Sequence, residues 1–110
     1  MTREEFSDYR LDENVLEAQT RVVDFAVRHN GQICVFDNGD NSGAVLLHIV
    51  RKIYPDIQSK PKEKRALVGG GEIFDPLSSW TEYDFAAYMT HEKLTPVNYG
   101  QLDLFEGVTI

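Results

Sequence analysis

Between residues 42 and 54 the chain reads Ser-Gly-Ala-Val-Leu-Leu-His-Ile-Val-Arg-Lys-Ile-Tyr, and its spacing predicts a helix that is apolar on nearly every side. Only His48, Arg51 and Lys52 give polar relief. A helix of this kind must be enclosed by other elements, so it predicts the central buried helix of whatever fold forms. Ser42 is the expected N-cap, and Pro55 ends the run after Tyr54. With 110 residues and 42% apolar content, the chain can enclose this helix in one modest core. The expected organisation is a single globular domain over residues 1–94, its first 13 residues allowed to be flexible, and a tail over residues 95–110.

The other elements follow from pattern and punctuation. Asn14 with Glu17 three residues later predicts a capped start, and Val15, Leu16, Val22, Val23, Ala26 and Val27 follow at helical spacing to about residue 29, where Gly31 supplies a stop. Gln32-Ile33-Cys34-Val35-Phe36 predicts a short strand, and Asp37-Asn38-Gly39-Asp40-Asn41-Ser42-Gly43 a turn. Arg65-Ala66-Leu67-Val68 and Glu72-Ile73-Phe74 flank three glycines and predict a hairpin. Ser79 with Glu82 predicts a second capping box opening a helix that carries Trp80, Tyr83, Ala86, Ala87, Tyr88 and Met89. The class is therefore α+β. Its order of helix, strand, helix and glycine-tipped hairpin loosely resembles a winged-helix domain, with residues 15–29 as first helix, 42–54 as third and 65–74 as strand, wing and strand. The second helix of that family would have to fit into residues 37–42, which are turn formers, and Ser42, Gly43 and Ala44 stand where base-reading side chains would be wanted. A plain α+β domain with a small antiparallel sheet is the alternative.

Charge is unevenly spread. Residues 1–28 carry four basic and seven acidic groups, residues 29–71 six and four, and residues 72–110 one and seven, for a net charge of −7. Arg51, Lys52, Lys60, Lys62, Lys64 and Arg65 are the candidate nucleic-acid contacts if the fold exposes them together. They would then grip phosphate rather than read sequence; the alternative is a solvated loop. The single Cys34 lies among apolar residues, which permits no internal disulfide and points to a reducing, cytoplasmic setting and an inert thiol. No apolar run approaches the ~20 residues that span a bilayer, and Met1-Thr2-Arg3-Glu4-Glu5 lacks a signal-peptide core, so no membrane partner is expected.

No catalytic constellation is visible. His29, His48 and His91 show no metal-site spacing. The Asp37–Gly43 stretch misplaces the glycine and glutamate of a calcium loop, and its Asp, Asn and Gly content is that of a turn. Gly69-Gly70-Gly71 lacks the Lys-Ser/Thr of a phosphate-binding loop, and Ser42, Ser78 and Ser79 sit in no nucleophile elbow. Glu82 and Asp84 are an ordinary acidic pair, while Trp80, Tyr83, Phe85 and Tyr88, which could stack bases, are expected in core and rim. No metal, cofactor or catalytic residue is expected, and the chain reads as a non-enzymatic protein.

The most specific signal is Gln101-Leu102-Asp103-Leu104-Phe105, preceded by the linker-like Thr95-Pro96-Val97-Asn98-Tyr99-Gly100. It resembles the Gln-Leu-(Ser/Asp)-Leu-Phe motif by which bacterial replication and repair proteins dock on the DNA polymerase sliding clamp, the β clamp. The resemblance implies that Leu104 and Phe105 fill an apolar cleft, Leu102 a shallower part of it, that Gln101 supplies an amide contact, and that Asp103 faces outward. An extended peptide can anchor two large apolar groups in a groove in this way. The alternative is a last strand or turn packed on the chain's own core. Two functions are therefore carried forward: an adaptor or inhibitor that docks on the sliding clamp, and a winged-helix DNA-binding regulator using residues 51–65.

Overall fold

Helix formation starts earlier than Asn14. The computed structural model describes the backbone of residues 3–95 and the side chains of residues 11–95, and its first helix, α1, spans Arg3–Arg28. The buried face is set by Leu11, Ala18, Val22, Phe25 and Ala26. Leu16, Val23 and Val27, expected inside with Val22 and Ala26, are exposed, because the row Leu11, Ala18, Val22 and Phe25 is the one that packs in the core. Asn14 caps nothing: its amide donates to Asp84 Oδ1 at 3.2 Å, tying α1 to the third helix. The C-terminus closes as a Schellman motif. Gly31 N–H donates to Ala26 O at 2.8 Å and Asn30 N–H to Val27 O at 3.2 Å, with Asn30 at φ 56° and Gly31 at φ 75°.

Strand β1, Cys34–Asp37, leads through a three-residue turn into α2, Asn41–Ile53. The cap is Asp40, two residues before the expected Ser42: its carboxylate accepts from Gly43 N–H at 3.1 Å and from the Ser42 hydroxyl at 2.5 Å. Asn38–Asp40 form a turn, so no helix stands between α1 and α2. As its composition predicts, α2 is central, touching β1, α1 and α3. Val45, Leu46, Ile49 and Val50 are fully buried. After Pro55 the chain crosses back and adds β2, Ser59–Pro61, parallel to β1. Ser-Lys-Pro has little strand propensity, so the sequence gives no sign of β2.

Strands β3, Ala66–Gly69, and β4, Glu72–Phe74, form the expected hairpin. Its two central residues, Gly70 and Gly71, have φ of 56° and 84°, the conformation a two-residue turn requires. The strand order is β2-β1-β3-β4, a mixed sheet rather than a purely antiparallel one. The fold is α+β, with three helices and four strands. Val35, Leu67 and Phe74 share the helix-covered face, where Phe74 stacks on Phe25 of α1 with centroids 5.7 Å apart. Helix α3, Glu82–His91, is opened by a capping box between Thr81 and Asp84, two residues later than Ser79 and Glu82 would place it. Trp80, Phe85, Tyr88 and Met89 close the core, whereas Tyr83 is exposed.

Gly43 tests this construction. Within a helix, Gly→Ala ordinarily stabilises by about 1 kcal/mol. Here a Cβ would lie 2.5 Å from Asp37 Oδ1, nearer still to Asn38 Oδ1, and 3.0 Å from the Asn38 amide nitrogen. Asp37 and Asn38 hold those oxygens in place by accepting from Gly39 and Asp40 N–H. Gly43→Ala is therefore expected to destabilise, by about 1–3 kcal/mol in urea unfolding; an unchanged or raised midpoint would contradict the packing of this turn.

Candidate functional site

The helices leave one face of the sheet uncovered among the described residues. Side chains alternate along a strand, so with Val35, Leu67 and Phe74 turned to the helices, Cys34, Phe36, Ala66, Val68 and Ile73 share the opposite face. Ile73 is 68% exposed there, Phe36, Val68 and Cys34 are partly buried, and Ala66, at 3% exposure, is enclosed between its neighbours. Lys60 is the register partner of Phe36, which puts it on the same face, and Lys62 Nζ sits 5.3 Å above the Phe36 ring. Lys64 borders a depression of about 420 Å³ with Asn38, Ala66 and Ile73 at the end of this face. Lys60, Lys62 and Lys64 are exposed and have no carboxylate partner among the described residues.

The six basic residues singled out in the sequence do not converge. Arg51 and Lys52 lie in the last turn of α2, and Lys62 follows β2 beside the C-terminal end of β1, where its N–H donates to Asp37 O at 3.0 Å. Because α2 runs back from that end, the ten helical steps from Asn41 to Arg51 carry Arg51 about 15 Å away. Lys52 is committed to an ion pair with Glu92. Arg65 is built into the fold: it pairs with Asp75 at 3.0 Å, donates to Leu77 O at 3.2 Å and lies 4.9 Å over the Phe85 ring. The lysine trio is thus the basic group that remains together. Phe36 is the member of this surface that sequence reading missed; the strand pattern placed it in a strand, and only the register shows which face it takes.

Elsewhere the polar groups serve the fold. Burial pushes Asp40 upward, but hydrogen bonds from the Ser42 hydroxyl and the Gly43 and Ser42 amides, with the charge of Arg65, outweigh it and hold the carboxyl below its usual range. Of the Asp37–Gly43 stretch expected as a turn, Asn38–Asp40 turn while Asp37 ends β1 and Asn41–Gly43 open α2, and no group of three potential metal ligands occurs among the described residues. Glu72 accepts from His29 Nε2 at 2.9 Å and from Arg28 at 3.0 Å, and these bonds depress its carboxyl while clamping the hairpin to α1. His48 Nδ1 and the Tyr88 hydroxyl are 2.7 Å apart between α2 and α3. Burial, with the Lys52 charge, lowers His48, favouring the neutral ring that accepts the hydroxyl proton.

The pentapeptide Gln101, Leu102, Asp103, Leu104 and Phe105 lies outside the described residues. Comparison of the chain with protein-family models, with curated proteins and with solved structures finds no match.

The Tyr88 phenol gives a pH test of the α2–α3 contact. Burial pushes it from 10 up to about 12. The folded value is the higher one, so between pH 10 and 12 the folded chain keeps a proton that the unfolded chain releases. The associated stabilisation is complete below pH 10 and is lost as pH rises through 12, amounting to about 2–3 kcal/mol. Urea unfolding should show this decline relative to Tyr88→Phe, which lacks the titrating group. Parallel pH profiles for the two proteins would mean that Tyr88 is not buried as described.

Proposed function

We propose that this protein is a non-enzymatic ligand of the bacterial DNA polymerase sliding clamp, acting in replication or repair as an adaptor or inhibitor. The observation that carries the reading is the pentapeptide Gln101-Leu102-Asp103-Leu104-Phe105, complete at every position of the motif it resembles. Two further facts are compatible with a carried docking peptide. The described residues from Leu11 to Leu94 form a hydrophobic core, and in the sequence the linker-like Thr95–Gly100 precedes the pentapeptide. Leu104 and Phe105 would each contribute about 1.5–3 kcal/mol on burial in an apolar cleft. Together the two anchors supply about 3–6 kcal/mol, so micromolar affinity, about 8 kcal/mol, also requires Leu102, the Gln101 amide and main-chain hydrogen bonds. An occupant of that strength competes with other clamp ligands for the same cleft or tethers its own domain beside DNA.

A second reading, a winged-helix DNA-binding regulator, draws on the helix–strand–helix–hairpin order and the exposed Lys60, Lys62 and Lys64. The two readings put binding energy in different places: Leu104 and Phe105 for the clamp, the lysines with a steep salt dependence for DNA.

Calorimetric titration of a bacterial β clamp with the full chain and with a Leu104→Ala, Phe105→Ala variant tests the proposal. Micromolar binding by the parent, weakened at least about 30-fold in a variant with an unchanged circular dichroism spectrum, is expected. Absence of heat with the parent would remove the clamp from consideration.

A further inference from the structure

We propose that the sheet face turned away from the helices, with Phe36 at its centre, Lys60 and Lys62 along its β2 border and Lys64 at its end, is a docking surface for single-stranded nucleic acid. The inference concerns what the folded body binds and does not depend on the clamp reading, which uses other residues. Three properties of the face choose this occupant.

The first is charge. The chain carries −7 overall, yet this face gathers three ammonium groups with only Glu63 among them. The other nearby carboxylates are turned away or occupied. Asp37 accepts from Gly39 N–H and faces Gly43 at the start of α2; Asp75 is held by Arg65; Glu72 is held by Arg28 and His29. A flexible anionic chain is the complement of a short group of exposed lysines that pair with no carboxylate among the described residues. Lys60 in β2 and Lys62 just after it stand two residues apart, about 6–7 Å along an extended backbone and close to the phosphate repeat of an extended single strand, and Lys64 follows in the bend at 63–64.

The second is the apolar floor. Phe36 offers a ring, and Val68 and Ile73 extend an apolar surface across β3 and β4. A single strand presents base faces to such a floor, and every base can stack on an aromatic ring, so binding would be tolerant of sequence. Lys62 sits over the ring in the unbound chain, a weak contact at an exposed site that an incoming base can displace while the ammonium swings to phosphate.

The third is shape. A duplex hides its base faces and is read by an element that enters a groove. Four strands of three or four residues form a shallow platform about 15–20 Å across, suited to a strand lying flat.

Fluorescence anisotropy of a labelled oligo-dT of roughly 20 nucleotides tests this with the full chain. Saturable binding is expected, weakening about 20-fold between about 50 and about 200 mM salt if three phosphates are neutralised. Lys60→Glu, Lys62→Glu, Lys64→Glu together should abolish it, and the corresponding triple Gln variant should weaken it at least tenfold. Phe36→Leu should weaken it about tenfold while leaving the salt slope unchanged. Circular dichroism checks the folding of each variant. Leu104→Ala, Phe105→Ala should bind oligo-dT like the parent, which separates this site from the clamp motif. The proposal is overturned by no binding at protein concentrations of about 100 μM. It is equally overturned by binding that survives both triple lysine variants, or by a duplex that competes as well as unlabelled oligo-dT.

Discussion

The reversal from β1 into α2 is the constraint on which the rest of the structure depends. Gly43 can lie against Asp37 and Asn38 only because it has no Cβ, and Asp40 fixes the first turn by accepting from Ser42 and Gly43. That geometry sends α2 back across the sheet with Val45, Leu46, Ile49 and Val50 aimed at β1, α1 and α3. Were the helix to leave at another angle, these buried side chains would lose partners on several sides at once. The dense polar turn therefore has a structural use that accounts for its Asp and Asn residues without invoking a bound cation.

Once α2 is placed, the crossover delivers β2 to the outside of β1, and the chemistry of that strand fits an edge. Gln58 O accepts from Val35 N–H at 2.9 Å and Lys62 N–H donates to Asp37 O, so alternate residues face β1 while Ser59 and Pro61 face outward. Pro61 has no N–H, and lysines flank it on both sides. A short strand with proline and lysine resists further strand addition. Lys60 and Lys62, which meet no carboxylate among the described residues, leave that border of the face positive. One local choice thus both protects the edge and sets the character of the exposed face.

Sequence patterns revealed the elements better than their faces. The composition of α2 identified the central helix, and the three glycines identified the hairpin, because each is a local property. Caps slipped by two residues at α2 and α3: Ser42 and Ser79 are good cap residues, but Asp40 and Thr81 have the extended backbone that lets a side chain reach back. The inward face of α1 is only partly legible: Val22 and Ala26 are buried as expected, but Leu16, Val23 and Val27 repeat as regularly as Leu11, Ala18, Val22 and Phe25, and only the packing partners distinguish the two rows. Strand β2 was invisible because its pairing is supplied by β1 rather than by its own residues. The candidate site was legible in part: Lys60, Lys62 and Lys64 do cluster, while Arg65 and Lys52 are taken by Asp75 and Glu92, partners remote enough in sequence that charge counting could not find them.

These ion pairs explain how an acidic protein can keep a basic surface. Arg28, Lys52 and Arg65 each meet a carboxylate from the acidic C-terminal third, Glu72, Glu92 or Asp75, at the seams between hairpin and α1, between α2 and α3, and beside the hairpin. At exposed seams each pair contributes little stability, about 0–1 kcal/mol. Their effect on the electrostatic field is larger than their effect on folding, since they neutralise Arg28, Lys52 and Arg65, three of the basic groups that lie away from β2. Most of the remaining carboxylates, among them Asp12, Glu13, Asp24 and Glu82, belong to the helical layer, on the other side of the sheet from Phe36. At physiological ionic strength the screening length is about 8 Å, shorter than the thickness of a helix laid on a sheet. An anion approaching the open face therefore meets Lys60, Lys62 and Lys64 before it meets the net charge of the chain.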